Sequence, residues 1–366
     1  MTRRDLLRLY RRAVLGVDLA GRTEVATGKI LRSLRPARVA LVAAGKSAGP
    51  MADAALRAIR SANVVHDVSL VVSPDGTIVS RCLRTLRAGH PLPDVRSVRA
   101  GRRALEIAAG LGHGDLLLLL VSGGASAALA APRRGITLAD KRSLTARLLR
   151  SGKTIAEINR ARTRISDIKG GGLTRAAAPA RVVSIVASDV AGDDPEVVGS
   201  GPGAGAPAIL VAGPADLLDS AVRVAHDMGL RARRLPDASA PVEVLVERYL
   251  RLGRGVFVGV GEPTLRVVGR RPGGRSQHLA LLLAWRTRHR GRFAFLAAGS
   301  DGRDGATDAA GAVVDQRTCN LLETLGLSPI GALERFATTR AHRLGGTAIP
   351  RWPSPVNLQD LHVIVP

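Results

Sequence analysis

Apolar runs alternate with alanine-rich stretches of helical periodicity along most of the chain. Strand-like runs lie near residues 38–43, 68–73, 115–121, 182–187, 256–260, 264–268, 293–297 and 361–365. This alternation is typical of α/β proteins with a mainly parallel sheet, whose ligands bind beyond the carboxyl ends of the strands. The pattern therefore predicts an α/β fold with its chemistry at one edge of a sheet.

The chain is long enough, at 366 residues with 46% hydrophobic content, to bury the cores of two domains. A helical stretch ends near residue 251, and a strand-like run begins at residue 256. We therefore predict an N-terminal domain of residues 1–250 and a smaller C-terminal domain of residues 251–366. The glycine- and proline-rich segment 199–207 is predicted to be a flexible loop.

Four of the apolar runs end in a loop of small residues, three of these loops contain a charged residue, and each loop precedes a helical stretch. The four loops contain Gly45-Lys46-Ser47, Ser122-Gly123-Gly124-Ala125-Ser126, Ser188-Asp189 and Ser300-Asp301. Unpaired amides at the start of a helix attract anions, and glycine lets the anion approach the backbone. The chain is therefore predicted to hold phosphates or carboxylates.

A net charge of +24 raises the alternative of a nucleic-acid-binding protein. The arginines are spread over every segment, aromatic residues make up only 2% of the chain, and no nucleic-acid-binding motif is recognisable. We therefore expect a solvated basic surface and no nucleic-acid partner.

Residues 3–14 interleave arginines with apolar residues, which predicts an amphipathic surface helix and not a secretory signal. No apolar run approaches the roughly 20 residues of a membrane span, so no membrane partner is expected. Cys82 and Cys319 lie far apart in the sequence and match no metal-binding or disulfide framework. A cytoplasmic location is therefore predicted.

Two segments resemble the end of a Walker A loop, Gly45-Lys46-Ser47 and Gly152-Lys153-Thr154. That motif needs a glycine five residues before the Gly-Lys pair, but Ala40 and Arg147 occupy those positions. Neither segment is a P-loop, and no Gly-x-Gly-x-x-Gly fingerprint follows the first strand. Lys46 is nevertheless favoured as an anion-binding lysine over a surface lysine, because an ammonium beside bare amides is a common counter-charge for phosphate.

The loop from Ser122 to Ser126 has the hydroxyls and open amides of a phosphate nest, although a simple glycine turn is equally compatible. Further along, Asn159, Arg162, Ser166 and Lys169 or Gly170 recur at steps of three and four. A helix would align these residues on one face that leads to the glycines at 170–172. A solvated basic face is the alternative.

Asp189 ends the third apolar run, and Asp193 follows closely. A carboxylate at this position can hold Mg²⁺ or accept a proton from an attacking hydroxyl. In the C-terminal part, Arg275 follows two glycines and can grip a phosphate or carboxylate with its planar guanidinium. Asp301 begins a second carboxylate-rich loop.

Several of these motifs occur in an order that resembles the class II glycerate kinases. The matching segments are Gly45-Lys46, Ala88–Asp94, Ser122–Ser126, Ser151–Gly172, Ser188–Asp194, Gly261–Thr264, Gly273–Arg275 and Asp301–Gly311. The resemblance implies a Rossmann-like N-terminal domain, a C-terminal MOFRL domain and an active site in the cleft between them. It also implies transfer of phosphate from ATP to the 2-hydroxyl of D-glycerate, forming 2-phosphoglycerate, with Mg²⁺ as cofactor.

The resemblance places the two catalytic positions of the family on Lys46 and Arg275, and we add Asp189 as a metal ligand or base. The residues expected to bind ATP are Gly45, Ser122, Gly123, Gly124, Ser126, Asn159 and Lys169. The residues expected to bind the metal are Asp189, Asp193 and Asp301.

The chain departs from the family pattern at Ala125, Ser276 and His278, where the family usually has glycine, asparagine and glutamate. The alternative function is therefore a divergent, weakly active relative that binds an anionic hydroxy acid. The sequence leaves open which hydroxyl is phosphorylated and whether the protein is a homodimer.

Overall fold

The computed structural model describes residues 1–74, 78–149, 155–190, 192–266 and 273–366. The strands are β1 (Arg38–Ala44), β2 (Val65–Pro74), β3 (Thr85–Ala88), β4 (Leu116–Ser122), β5 (Arg181–Ala187), β6 (Ala208–Ala212), β7 (Ala232–Arg234), β8 (Val256–Gly261), β9 (Ala294–Gly299), β10 (Ala309–Asp315), β11 (Ala348–Pro350) and β12 (Asp360–Val365). The helices are α1 (Arg3–Leu15), α2 (Leu19–Leu34), α3 (Ala48–Ser61), α4 (Val95–Ala109), α5 (Ala125–Ala128), α6 (Leu138–Leu149), α7 (Ile155–Arg164), α8 (Gly172–Ala177), α9 (Pro214–Asp227), α10 (Val242–Leu250), α11 (Arg275–Thr287), α12 (Thr318–Thr324), α13 (Pro329–Glu334) and α14 (Thr338–Leu344). A short 3₁₀ helix covers Val198–Ser200.

The chain forms two compact units. The central unit consists of Asp18–Gly213, and the terminal unit consists of Met1–Val17 together with Pro214–Pro366. These units do not follow the boundary predicted between residues 250 and 251. Residues 214–250 belong to the terminal unit because α9 packs on α1 and β8, and α10 packs on α11.

The central unit is built on a parallel six-stranded sheet, described in the order β3-β2-β1-β4-β5-β6. Every residue of β4 is buried, as expected for a parallel strand covered by helices on both faces. From β1 the chain moves outward through β2 and β3, and it returns to the other side of β1 as β4. The point where the strand order reverses, between β1 and β4, is where doubly wound folds bind ligands.

The terminal unit has a second six-stranded sheet, described in the order β11-β10-β9-β12-β8-β7. Its strand pairs are antiparallel except for β7 and β8. Buried apolar residues of α10 and α11 form a core with Phe257, Phe295 and Ile364 from the sheet. The predicted α/β fold, with a mainly parallel Rossmann-like sheet and a second α/β domain, is confirmed.

The predicted N-terminal amphipathic helix is α1, and its apolar face is buried. The hydroxyl of Tyr10 donates a 2.6 Å hydrogen bond to the carbonyl oxygen of Gly299, and the indole Nε1 of Trp352 donates to the Tyr10 hydroxyl over 3.1 Å. Arg3 forms an ion pair with Asp315. Helix α1 is therefore an integral part of the terminal unit.

One local prediction is wrong. The run at 264–268 is not a strand where the structure describes it, because Thr264 forms only an isolated bridge with Pro241; residues 267 and 268 lie outside the described residues. The segment 199–207 packs against its own unit: Ser200 is buried, and a Cβ at Gly201 would lie 2.4 Å from the carbonyl oxygen of Glu196. Within the described ranges, no helix is both long and apolar enough to cross a membrane.

Candidate active site

The loops that follow β1 and β4 are joined at the point where the strand order reverses. The amide of Lys46 donates a 2.8 Å hydrogen bond to the carbonyl oxygen of Gly123. The amide of Ser47 donates a 3.0 Å hydrogen bond to the Oγ of Ser122. Two of the predicted site segments, 45–47 and 122–124, therefore form one continuous surface.

Glycine is required in both loops for steric reasons. Gly45 has a φ of +121°, and a Cβ there would lie 2.3 Å from the Oγ of Ser122. Gly124 has a φ of +87°, and a Cβ there would lie 3.2 Å from the Cγ of Pro74 and 3.4 Å from the Cγ of Lys46. A side chain at either position would separate the loops or displace the Lys46 side chain.

The first loop leads into α3, a helix of 14 residues. Ser47 is its N-cap residue, but the Ser47 Oγ makes no capping hydrogen bond. This oxygen and the Oγ of Ser73, at the end of the neighbouring β2, are buried and have no hydrogen-bond partner among the described residues. Buried hydroxyls without partners are costly, which favours a bound ligand as their partner.

A chain of hydrogen bonds connects four polar side chains beside the second loop. The Nζ of Lys169 donates to the Oγ of Ser126 over 2.6 Å, and the Ser126 and Ser200 hydroxyls are 2.9 Å apart. The Ser200 Oγ donates to the Oδ1 of Asn159 over 2.9 Å. The Ser126 hydroxyl therefore accepts from Lys169 and donates to Ser200. The predicted residues Ser126, Asn159 and Lys169 are thus brought together.

The predicted helical face from Asn159 to Lys169 is only half correct. Helix α7 ends at Arg164, and Ser166 and Lys169 lie in the turn that follows. The chain leaves the helix because residue 166 bridges to Pro132, and Gly170 and Gly171 have positive φ angles. Lys169 reaches the site through this turn. The segment Gly152-Lys153-Thr154 lies outside the described residues.

Ser200 is the site residue that sequence reasoning missed. It has a φ of +61° and lies between Gly199 and Gly201, which also have positive φ angles. A non-glycine residue in this conformation is strained, and such strain is concentrated at functional sites. A serine between two glycines was the available signal, but their abundance made the segment resemble an ordinary loop.

The candidate metal ligands are not gathered in one place. Asp189 follows β5 and is half-buried, whereas Asp193 lies against Gly213, at which a Cβ would be 2.7 Å from both carboxylate oxygens. The Asp193 Oδ1 is buried and finds no hydrogen-bond partner among the residues that the structure describes. Asp301 belongs to the terminal unit, where its Oδ1 accepts the amide of Arg303 over 2.9 Å. The described residues contain no group of three or more His, Cys, Asp or Glu side chains arranged to hold a metal.

Arg275 begins α11 in the terminal unit and is held by two carboxylates. Its Nε and Nη2 donate to Asp360 over 2.8 and 3.0 Å. Its Nη1 donates to Glu262 over 2.9 Å, and Nη2 lies 2.7 Å from the other Glu262 oxygen. The Asp360 side chain is only 3% exposed, whereas that of Glu262 is 42% exposed. Asp360 therefore anchors the guanidinium, and Glu262 is the partner that solvent can replace.

A second buried carboxylate supports the same helix start. Asp304 accepts hydrogen bonds from the amide of Gln277 at 2.9 Å and from its side-chain Nε2 at 2.9 Å. A Cβ at Gly274 would overlap the Asp304 carboxylate, which explains the glycine before Arg275. The Oγ of Ser276 donates to Asp360 over 2.7 Å.

Burial and charge shift the pKa values of this group in opposite directions. Burial disfavours the charged form of Arg275, but Asp360 and Glu262 outweigh burial and raise its pKa. Burial would raise the pKa of Asp360, and the positive charge of Arg275 lowers it overall. Burial and the nearby Asp360 raise the pKa of Asp304 to about 6.

His278, one of the departures from the family pattern, lies on α11 next to this group. Its ring stacks on Phe336 with centroids 5.2 Å apart. His278, Phe336 and Arg275 line a cavity of about 290 Å³. Burial lowers the pKa of His278, so the ring is neutral near pH 7.

Comparisons with known proteins agree with this architecture. Residues 8–233 match a domain of unknown function, DUF4147, and residues 255–360 match the MOFRL family. A D-glycerate 2-kinase of Thermotoga maritima is 32% identical, and the alignment covers 92% of each chain. An Agrobacterium vitis protein, provisionally named a hydroxypyruvate reductase, is 30% identical over 99% of this chain and 94% of its own.

The fold also matches a solved structure over its full length. The crystal structure of a Thermotoga maritima glycerate kinase superimposes with a TM-score of 0.81 and 27% identity, covering 99% of both chains. The arrangement of DUF4147 followed by MOFRL, together with the full-length glycerate kinase relatives, shows that the chain belongs to the class II glycerate kinase family.

Proposed function

We propose that the chain is a glycerate kinase that transfers the terminal phosphoryl group of ATP to the 2-hydroxyl of D-glycerate. The observation that carries this proposal is the contact between the Lys46 and Gly123 loops at the reversal of strand order in the central unit. Family membership supports the reaction class, and the name of the Thermotoga relative supports the 2-hydroxyl as acceptor.

The phosphates of ATP bind at the Gly45–Ser47 and Ser122–Gly124 loops in this proposal. The start of α3 contributes the positive end of the helix dipole, and Lys46 contributes a positive charge opposite to that of the phosphates. Phosphoryl transfer depends on positioning and on neutralising charge more than on covalent chemistry. The Lys169, Ser126, Ser200 and Asn159 side chains fix the second loop by their hydrogen bonds.

Asp189 is the proposed acceptor of the glycerate hydroxyl proton. It follows β5, the strand next to β4, and therefore ends at the same edge of the sheet as the phosphate loops. Asp193, with a buried carboxylate oxygen that has no hydrogen-bond partner among the described residues, is the central-unit carboxylate left to hold Mg²⁺, since this ion can take a single protein carboxylate and complete its shell with water and phosphate. Bound Mg²⁺ supplies further neutralisation of phosphate charge.

Arg275 is proposed to bind the carboxylate of glycerate. Asp360 keeps the guanidinium oriented, while Glu262 occupies the outer edge of the guanidinium until an anionic substrate replaces it. The exposed glutamate is the weaker partner, because solvent screens its charge. The substrate carboxylate would then form the bidentate contact that arginine suits best.

Binding without turnover is the second candidate function. The observation in its favour is the set of altered positions Ala125, Ser276 and His278, two of which follow Arg275 in the first turn of α11. A reductase receives no support from the β1 loop, which lacks the glycine fingerprint of dinucleotide-binding enzymes.

The purified protein, ATP, Mg²⁺ and D-glycerate form the decisive assay, with the products identified by phosphorus NMR. We expect saturable formation of 2-phosphoglycerate and loss of turnover when EDTA is added. Hydroxypyruvate with NADH serves as the comparator reaction. Stabilisation by ATP and glycerate without any phosphoglycerate would favour the binding protein, and 3-phosphoglycerate would contradict the proposed acceptor.

A further inference from the structure

Three cationic side chains, on the packed helices α6 and α7 and in the turn after α7, are close enough for their charges to interact, and Lys169 among them contacts the second phosphate loop. Lys141 is on the first turn of α6, Arg162 is on α7, and Lys169 is in the turn after α7. Lys141 is 3% exposed and Lys169 is 1% exposed, whereas Arg162 is partly exposed. The cluster therefore has two buried lysines and one arginine on its open side.

The described residues supply no carboxylate that pairs with this cluster through hydrogen bonds. The three acceptors of the Lys169 Nζ are neutral: the hydroxyl and carbonyl oxygens of Ser126 at 2.6 and 3.0 Å, and the carbonyl oxygen of Gly199 at 3.4 Å. The Lys141 Nζ is buried and has no hydrogen-bond partner within the described part of the chain. Asp167 attracts Lys141 at longer range, but its side chain is 52% exposed and lies 3.6 Å from Arg133.

The three charges also repel one another. Burial, followed by repulsion from Arg162, lowers the pKa of Lys141 to about 8. Burial, Arg162 and Lys141 together lower the pKa of Lys169 well below its usual value. A buried cation without an opposite charge destabilises the folded protein, and an anion that enters the cluster removes this penalty.

We propose that Lys141 and Arg162, together with Lys169, form a binding site for a chain of phosphates, supplied by the triphosphate of the nucleotide. The number of charges favours this ligand, because a triphosphate carries several negative charges and a hydroxy-acid carboxylate carries one. The position favours it as well, since Lys169 holds Ser126 at the end of the proposed phosphate loop. This inference rests on the proposed function, to which it adds Lys141 and Arg162 as nucleotide-binding residues.

Calorimetric titration of wild type and Lys141→Met with ATP, inorganic triphosphate and adenosine tests the assignment. We expect the variant to lose roughly 10- to 100-fold in affinity for ATP and for inorganic triphosphate, because one charge-assisted contact is removed. Adenosine affinity should not change. A loss for inorganic triphosphate alone would overturn the nucleotide assignment and identify free polyphosphate as the ligand.

Arg142→Met is the matched control, since Arg142 is the exposed neighbour of Lys141 on α6. Arg162→Met is the corresponding test on α7. Its matched control is Arg160→Met, because Arg160 is exposed on the same helix. Both controls should bind ATP like the wild type. If Lys141→Met binds ATP and triphosphate as tightly as Arg142→Met does, the proposed site is ruled out.

Thermal unfolding gives a readout that a purely structural lysine would not reproduce. Without ligand, Lys141→Met should melt at the same temperature as the wild type or above it, because an unpaired buried charge is gone. With inorganic triphosphate, the wild type should gain stability and the variant should gain far less. A variant that melts lower but keeps the full gain would show that Lys141 is structural.

Failure of the proposed phosphate site can be distinguished from failure of the proposed glycerate phosphorylation. Absence of phosphoglycerate with the wild-type enzyme would reject glycerate phosphorylation, while triphosphate binding by the cluster could still be measured. Wild-type turnover combined with unchanged ATP affinity in Lys141→Met would reject the cluster alone.

Discussion

The amide nitrogen of Lys46 lies 2.8 Å from the carbonyl oxygen of Gly123 and donates a hydrogen bond to it. This bond joins the loops that follow two adjacent parallel strands, β1 and β4. The two bonded residues are 77 positions apart in the sequence. The contact depends on the absence of side chains nearby, as the environment of Gly45 shows.

Gly45→Ala is expected to destabilise the central unit by more than the backbone strain of a positive φ angle would cost alone. Gly45 and Gly135 both have positive φ angles, but a Cβ at Gly135 meets nothing within 4 Å, whereas a Cβ at Gly45 meets Ser122. Gly135→Ala should therefore cost about 1 kcal/mol in unfolding free energy, and Gly45→Ala about 3 kcal/mol or more. Hydrogen exchange or chemical denaturation of both variants measures the difference; equal costs would argue against a steric role.

Lys46→Met should abolish catalysis without unfolding the protein. Removal of a single charge that stabilises the transition state typically lowers kcat by about 100- to 1000-fold. Lys29→Met is the control, because Lys29 is an exposed lysine of α2 in the same unit. The measurement is kcat for glycerate phosphorylation, together with the circular dichroism of each variant. An active Lys46→Met variant would remove this lysine from the mechanism.

Glu262→Gln should lower the KM for glycerate, because the substrate carboxylate would no longer compete with a negative charge for Arg275. Arg275→Lys should raise the same KM strongly, since lysine cannot form a bidentate contact. Glu247→Gln is the matched control, since Glu247 is another exposed glutamate of the terminal unit that pairs with an arginine, Arg286. An increased KM in Glu262→Gln would indicate that the glutamate positions Arg275 instead of competing for it.

The terminal unit should lose stability between pH 6.5 and 4. Burial lowers the folded-state pKa of His342 and of His362 to about 4, below the value of 6.5 for an unfolded chain. Across this window the unfolded state binds more protons, so stability falls as the pH falls, by up to about 3 kcal/mol for each histidine. Asp304 acts in the opposite sense, since its raised pKa of about 6 makes the folded state gain a proton first.

Tryptophan fluorescence isolates this effect, because the two tryptophans of the chain, Trp285 and Trp352, both belong to the terminal unit. Denaturant titrations at several pH values give the slope of the unfolding free energy against pH. His362→Phe should lower this slope by about one proton, whereas His289→Phe, a substitution in the exposed turn between α11 and β9 of the same unit, should leave the slope unchanged. An unchanged slope in His362→Phe would mean that this histidine is not the titrating group.

The sequence was informative where a feature depends on local pattern. Apolar runs predicted β1, β4 and β5, and the rule that ligands bind at strand ends placed Lys46 and Ser122 in neighbouring loops. The hydrophobic pattern does not predict short or alanine-rich strands such as β3 and β10, because their composition resembles that of the helices.

Other features depend on contacts between distant residues and could not be predicted. Arg275 and Asp360, which form an ion pair, are 85 residues apart in the sequence. The hydrogen bond from Lys169 to Ser126 depends on a turn after α7. Among the described residues the buried Lys141 Nζ has no hydrogen-bond partner, and this depends on surroundings that no pattern of residue types encodes. Charge and glycine spacing identified candidates, and only the packing distinguishes a buried cation from an exposed one.

The division of the terminal unit between the two ends of the chain has a consequence for biosynthesis. Helix α1 leaves the ribosome before the central unit, yet β9, whose Gly299 carbonyl accepts the hydrogen bond of the Tyr10 hydroxyl, is made 289 residues later. All residues of the central unit are synthesised before β8 to β12, so this unit can complete its sheet while α1 still lacks its site. During translation the arginine-rich helix must therefore remain soluble as an unpartnered amphipathic segment, a task for which its charged face is suited.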